Sequence, residues 1–356
     1  MGLTYGILRE RGGKQVFNIG NRRFVGSKQK LAGWIIEAIS ANCKGNSFFE
    51  VFAGTSIISS KIATQMKHLV INDTLQSNNI IYEAFYGMGT SSLKKLNNYK
   101  IQFNSIDKSR VSKGWFTKNY GGKYFGSNDC AVIEYIRGIL ATDKRKITKK
   151  EFSILLASLI YSMDKISNTV GHYDAYIQRH PRDNNFTFDL IQPLDLQGIK
   201  VEIYCSDANE LVKKIWADIA YIDPPYNSRQ YCQFYHIYET LVKWDEPELF
   251  GMALKRKGES LSDYCRIKAP AVFADLIEKL KCRYLVVSYN NTYNSKSSSS
   301  RNKIQFDEII NILSKYGKVK TLSKSYKAFN TGKTDLPDHR EYLFIVEKGG
   351  RKNAKK

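Results

Sequence analysis

Ala220-Tyr221-Ile222-Asp223-Pro224-Pro225-Tyr226-Asn227-Ser228-Arg229-Gln230-Tyr231 is the stretch around which the chain is organised. Ile219 to Ile222 form an apolar run that reads as a short buried strand. Two successive prolines stop it at Asp223, because neither can donate an N–H to a sheet ladder. The strand therefore delivers one carboxylate, one stiff turn and one aromatic ring to its carboxyl end. In open α/β sheets that end is where ligands bind.

Upstream, Phe48 to Phe52 read as a strand, Ala53-Gly54-Thr55-Ser56 as a turn and Ile57 to Ala63 as the start of a helix. Leu69-Val70-Ile71 is a second strand, ending at Asn72-Asp73. Strand, glycine turn, helix, strand, acid is the first half of a nucleotide-binding βαβ unit. A glycine there lets the backbone approach a ligand with no Cβ in the way. Asp73, 19 residues after Gly54, is spaced to accept hydrogen bonds from ribose hydroxyls. With a single glycine, a tight turn followed by a surface aspartate explains the pattern equally well.

Ahead of this unit, Phe24-Val25-Gly26-Ser27-Lys28 precede a helix whose Leu31, Trp34, Ile35, Ala38 and Ile39 share one face. Downstream, Val201 to Cys205 form a strand ending at Ser206-Asp207, and Leu211, Val212, Ile215 and Trp216 suggest a helical face. A helix through Tyr235, Tyr238 and Val242 follows the Asp223 turn. Pro270 sits at a helix start, and Arg283 to Tyr289, Lys318 to Leu322 and Tyr342 to Val346 complete the sheet. Asn294 to Asn302 read as a flexible serine-rich loop.

Gly54 and Asp223 are 169 residues apart. Three strand–helix steps of about 30 residues use about 90 of them. The excess coincides with residues 94–150, where 14 Lys/Arg against 4 Asp/Glu leave a net +10, interleaved with Trp115, Phe116, Tyr120, Tyr124 and Phe125. An inserted basic module over 85–195 is the economical reading. The α/β core then takes 21–84 and 196–348, with a loosely packed arm over 1–20 and a basic tail over 349–356.

The 356 residues carry 55 Lys+Arg against 34 Asp+Glu, a net +21, with 42% hydrophobic residues. A sizeable core is affordable, and the charge points to a polyanionic partner. No apolar span or signal peptide is visible, so nucleic acid fits better than membrane and a cytoplasmic location is expected. The six cysteines are dispersed without a C-x-x-C pair, so neither a zinc site nor a disulfide framework is expected. No metal is called for.

Asp223-Pro224-Pro225-Tyr226, taken with the glycine turn and Asp73, resembles the alpha group of adenine-N6 DNA methyltransferases, and the likeness runs from about Asn21 to Lys348. It implies a Rossmann-like S-adenosylmethionine-dependent sheet with an inserted target-recognition domain. It also implies double-stranded DNA with an extruded adenine as substrate, and a restriction endonuclease as candidate partner. Phe24 and Lys28 match the family's aromatic-x-Gly-x-Lys cofactor contacts. Glu50, Phe52 and Gly54 lie in the segment matching its cofactor loop, Asp73 matches the ribose acid, and Asp207 the residue near the cofactor's adenine. Val51 stands where the family usually has Pro, and Ser56 where it has a second glycine. Asn227 to Tyr231, Tyr235-His236, Glu239, Ser288-Tyr289-Asn290 and Asn168-Thr169 fit the restriction–modification branch.

Chemically, an adenine amino nitrogen is a poor nucleophile because its lone pair is delocalised into the ring. The Asp223 carboxylate and the Pro224 carbonyl are paired acceptors for its two hydrogens, and transfer relies on positioning and electrostatics. Tyr226 offers a stacking face for the extruded base, with Pro225 stiffening the turn. Asp223 also faces the cofactor. Lys144, Arg145 and Lys146 are candidate phosphate contacts, as are Lys149 and Lys150, although a solvated basic face is the plainer reading for any one of them. Arg229 and Tyr231 are candidate DNA contacts beside the motif. Trp115, Phe116, Tyr124 and Phe125 read better as the insert's own core than as wedges, and His236 better as structural than as a base. Methylation of a cytosine amino group or of RNA adenine uses the same chemistry, and a non-catalytic DNA-binding scaffold is the alternative of another class.

Overall fold

A computed structural model describes residues 17–292, 301–325 and 339–349. The serine-rich segment 293–300, residues 1–16 of the expected arm and 350–356 of the expected tail lie outside the described residues. The nine described strands run β1 Ser47–Glu50, β2 His68–Asp73, β3 Lys200–Cys205, β4 Trp216–Ile222, β5 Leu249–Phe250, β6 Lys255–Arg256, β7 Lys281–Asn290, β8 Val319–Ser325 and β9 Arg340–Glu347. The chain divides into two compact units.

One unit comprises Ser27–Leu75, Leu196–Phe234 and the described residues from Gly258 onward. It holds a seven-stranded sheet in the order β3-β2-β1-β4-β7-β9-β8. All neighbours from β3 to β7 are parallel, and β9 runs antiparallel to both β7 and β8. This is the expected Rossmann-like α/β sheet. From β1 the chain steps outward through β2 to β3, then returns to place β4 on β1's other side. The strand order therefore reverses between β1 and β4, the place where such sheets bind ligands. The register pairs Phe49 with Ala220 and Glu50 with Tyr221, and Val51 N–H donates to the Tyr221 carbonyl at 3.0 Å. Phe49, Val70, Ala220, Ile222, Leu285, Val287 and Phe344 are all fully buried in one core. Such two-sided burial is why these parallel strands read as continuous apolar runs rather than as alternation.

β4 begins earlier than the sequence suggests. Ile215 and Trp216 continue no helix: the helix ends at Leu211 after a single turn, and Trp216 opens the strand opposite Lys281 with 59% of its surface exposed. A one-turn helix is all that is needed to return the chain to the start of β4.

The other unit comprises 17–26, Gln76–Asp195 and Tyr235–Lys257. The division falls at 75/76 rather than 84/85, because helix Gln76–Phe85 packs on helix Lys149–Ile166. The latter starts at a capping box: the Thr148 hydroxyl accepts from the Glu151 N–H at 3.1 Å and the Glu151 carboxylate from the Thr148 N–H at 2.9 Å. Its face of Leu155, Leu156, Leu159, Ile160 and Met163 is fully buried. Phe116, Tyr120, Tyr124 and Phe125 are buried too, so these aromatics of the basic stretch form core. His236 is fully buried among the rings of Tyr120, Tyr124 and Tyr173. At the start of this unit Phe17 and Ile19 are buried, and Phe17 bonds the backbone of Leu190 and Gln192. The loosely packed arm therefore does not extend to residues 17–20, whose apolar side chains have a core to enter. β5 and β6 form a short hairpin.

Candidate active site

The carboxyl ends of β1 and β4 lie side by side, and each carries a loop that the sequence singled out. After β1, Gly54 adopts φ +54°, a left-handed conformation that costs an L-residue roughly 1–2 kcal/mol. Its N–H donates to Asp73 Oδ2 at 2.9 Å, while Asp73 Oδ1 accepts from the Leu75 N–H at 2.9 Å. Asp73 thus ties the glycine loop to the end of β2. Glu50 turns onto the first turn of helix Ile57–Ile62, accepting from the Ser59 N–H at 3.1 Å and from the hydroxyls of Ser56 and Ser59. Burial pushes its carboxyl up to about 8 against the pull of those donors. Phe52 is partly buried edge-on to Tyr264, ring centroids 5.0 Å apart. Asp207, exposed beyond β3, caps helix Ala208–Leu211 through the Glu210 N–H at 3.1 Å.

After β4, the Asp223 turn closes over a buried cation. Lys28 Nζ lies 2.9 Å from Asp223 Oδ2 and 2.7 Å from the Tyr226 hydroxyl. The same ammonium is 3.4 Å from Glu341 Oε1 and sits 4.8 Å from the Tyr226 ring centroid. The Tyr226 hydroxyl donates to Asp223 Oδ1 and also lies 3.0 Å from Glu341 Oε1. The Ser288 hydroxyl donates to Glu341 as well. Burial pushes the Asp223 carboxyl up to about 6, Lys28 pulls it down, and Glu341 adds to the rise. Pro224 is buried and Pro225 half-buried. The turn is fixed from both sides: the Tyr226 carbonyl accepts from the Lys303 N–H at 2.8 Å, and the Tyr226 ring meets Tyr289 edge-on at 4.6 Å.

The structure thus gathers Lys28, Asp223 and Tyr226 at one point and Gly54 with Asp73 at the neighbouring strand end. Arg229 and Tyr231 follow the turn half-buried against Phe234, whose ring centroid is 5.9 Å from the Arg229 guanidinium and 6.3 Å from the Tyr231 ring. Phe24 belongs to the other unit, stacked on Tyr235 at 4.4 Å. In that unit Lys144, Arg145 and Lys146 are exposed, Lys146 paired with Asp143 at 2.7 Å and Lys144 5.7 Å from the Phe152 ring centroid. Lys150 is not a surface cation. It is 8% exposed and donates to the carbonyls of Glu83, Ala84 and Gly87 at 2.7–3.0 Å, closing the carboxyl end of helix Gln76–Phe85. Lys149 pairs with Glu83 at 2.9 Å.

Sequence reasoning passed over Glu341. It reads as an ordinary acid ahead of the apolar run Tyr342 to Val346. Because β9 runs antiparallel, however, its first residues lie at the carboxyl end of β7, with Glu341 opposite Asn290. An acid directly ahead of the apolar run Tyr342 to Val346 was the available signal, but only strand direction gives it meaning.

A parallel sheet with a glycine loop and an Asp-Pro-Pro-Tyr turn on adjacent strand ends defines an amino-group methyltransferase class. The model of the D12 class N6 adenine-specific DNA methyltransferases matches residues 24–300, and the chain belongs to that family of enzymes. It is 32% identical to the type II methyltransferase M.FokI of Planomicrobium okeanokoites over 352 residues, which cover 92% of this chain and 52% of that protein. It is 29% identical to the type II methyltransferase M.NlaIII of Neisseria lactamica, with 91% and 99% covered. Identity to M.CviAII of Paramecium bursaria Chlorella virus 1 is also 29%, with 91% and 97% covered. The chain therefore spans about half the length of M.FokI and nearly all of the other two. The family resemblance drawn from the motif order is borne out.

Proposed function

We propose that this chain transfers a methyl group from S-adenosylmethionine to the N6 amino group of an adenine extruded from a specific site in double-stranded DNA. The observation that carries the reading is the adjacency of the Gly54 loop and the Asp223–Tyr226 turn at the point where the strand order reverses.

The residues fit the methyl donor. Gly54 presents backbone without a Cβ, and Asp73 and Asp207 set carboxylates at the ends of β2 and β3. Gly54, Phe52, Glu50 and Asp73 would hold it from β1 and β2, Asp207 from β3, with Lys28 as a further contact. When bound, S-adenosylmethionine supplies an electrophilic methyl group, so the protein's task is to orient the nucleophile. Asp223 and the Pro224 carbonyl accept the two amino hydrogens and aim the nitrogen lone pair. Lys28 holds the Asp223 carboxylate through Oδ2, and Oδ1, which accepts from the Tyr226 hydroxyl, is the oxygen the base takes up. Pro225 stiffens the turn, and the Tyr226 ring stacks on the extruded base.

The helical unit over 76–195 and 235–257 is assigned target recognition, with Lys144 and Arg145 on phosphate and Lys146 shared with Asp143. Arg229 and Tyr231 are assigned to the DNA beside the extruded base. The type II relatives suggest a protective, modifying role beside a restriction endonuclease in the cytoplasm. Among the described residues no helix is long and apolar enough to cross a membrane. The test is incubation of mixed-sequence duplex DNA with labelled S-adenosylmethionine. Asp223→Ala should abolish transfer while leaving DNA binding intact, and a fully active Asp223→Ala overturns the assignment.

A further inference from the structure

We infer that Glu341 is a positioning residue for methyl transfer: it is the acceptor to which the Tyr226 hydroxyl turns when an incoming amino group claims Asp223 Oδ1. The inference rests on the roles proposed above for Asp223 and Tyr226.

A phenol carries one hydrogen and can satisfy one strong acceptor at a time. Here that hydrogen goes to Asp223 Oδ1, while Lys28 occupies Oδ2 at 2.9 Å. Both carboxylate oxygens thus have partners, and the one an amino hydrogen needs is held by a neighbour's hydroxyl. Displaced with nowhere to go, that buried hydroxyl would lose its bond or drag the ring out of place. Glu341 Oε1 already lies 3.0 Å from the hydroxyl, closer than the Ser288 carbonyl at 3.4 Å. Turning the O–H from one carboxylate to the other needs no movement of the ring, which stays edge-on to Tyr289 at 4.6 Å.

Glu341 is suited to that exchange. It is fully buried, and its Oε1 is held by the Ser288 hydroxyl and by Lys28 at 3.4 Å. Its Oε2 has no hydrogen-bond partner among the described residues, so the group has acceptor capacity in reserve. On β9 it precedes Leu343, Phe344, Ile345 and Val346, all buried and apolar. Burying a carboxylate there is costly and adds nothing to sheet packing, which points to work at the turn.

The test is a double-mutant cycle read as the single-turnover rate of methyl transfer, with unmethylated duplex DNA and saturating S-adenosylmethionine. Glu341→Ala should slow transfer about tenfold or more, while in the Tyr226→Phe background, which has no hydroxyl to place, it should change the rate less than about threefold. Glu341→Gln, which keeps a carbonyl acceptor, should stay within about threefold of the parent. Equal losses in both backgrounds, or a Gln variant as slow as the Ala variant, overturn the inference, since a merely structural acid would cost the same with or without the hydroxyl. Should Glu341→Ala lose its cooperative melt, Glu341→Leu, similar in volume and without an acceptor, takes its place in the same cycle. A parent enzyme that methylates no adenine would instead overturn the proposed function. Equal losses in an active parent overturn only the role of Glu341.

Discussion

Removing the cation beneath the Asp223 turn should move the pH dependence of the reaction, not merely lower its rate. Lys28 Nζ lies 2.9 Å from Asp223 and 3.4 Å from Glu341, with its side chain 6% exposed. The Asp223 carboxyl already stands at about 6, raised by burial and held down by Lys28. An opposite charge this close favours the ionised carboxylate, so Lys28→Met should raise Asp223 further. The proposed mechanism needs Asp223 ionised, so the rate rises with pH through the pKa of that group. The parent's acid limb should therefore centre near 6 and the variant's higher. The assay is single-turnover transfer of labelled methyl from pH 5 to 9.5 at saturating cofactor, with a thermal melt as the check on folding. Breaking a buried pair costs about 3–5 kcal/mol, so a lowered melting temperature is expected. A variant slowed by one constant factor at every pH, with its midpoint unmoved, would refute the electrostatic account of Lys28.

Further consequences are simpler to read. Gly54→Ala forces a Cβ into a φ of +54°, at roughly 1–2 kcal/mol, and should weaken S-adenosylmethionine binding by about tenfold in calorimetry. Unchanged affinity would remove the loop from the cofactor site. Lys150→Met leaves the carbonyls of Glu83, Ala84 and Gly87 without their donor and should cost about 1–3 kcal/mol in denaturant unfolding, with the salt dependence of DNA binding unchanged. Lys144→Gln with Arg145→Gln should do the reverse: unaltered stability and a salt slope shallower by about 2. A shallower slope for Lys150→Met would return that residue to the DNA interface.

Much of this was legible in the sequence because it is governed locally. The end of β4 at Asp223 follows from prolines that cannot join a ladder, and the Gly54 turn from its glycine between an apolar strand and a helix. What sequence could not reveal depends on partners distant in the chain. Lys150 reads as one more cation of a basic run until carbonyls 63–67 residues upstream claim it. Glu341 reads as a surface acid until the antiparallel course of β9 brings it to Lys28 and Tyr226. Trp216 looked helical because its apolar spacing suited both periods, and only its pairing with Lys281 decides for the strand.

The central claim is that the Asp223–Tyr226 turn performs methyl transfer to adenine N6. Its most direct test is digestion of duplex DNA treated with the parent enzyme or with Asp223→Ala, followed by mass identification of the methylated nucleoside. The account predicts N6-methyldeoxyadenosine from the parent at one recurring sequence and none from Asp223→Ala. N4-methyldeoxycytidine as the product, or an equal yield from Asp223→Ala, would contradict it.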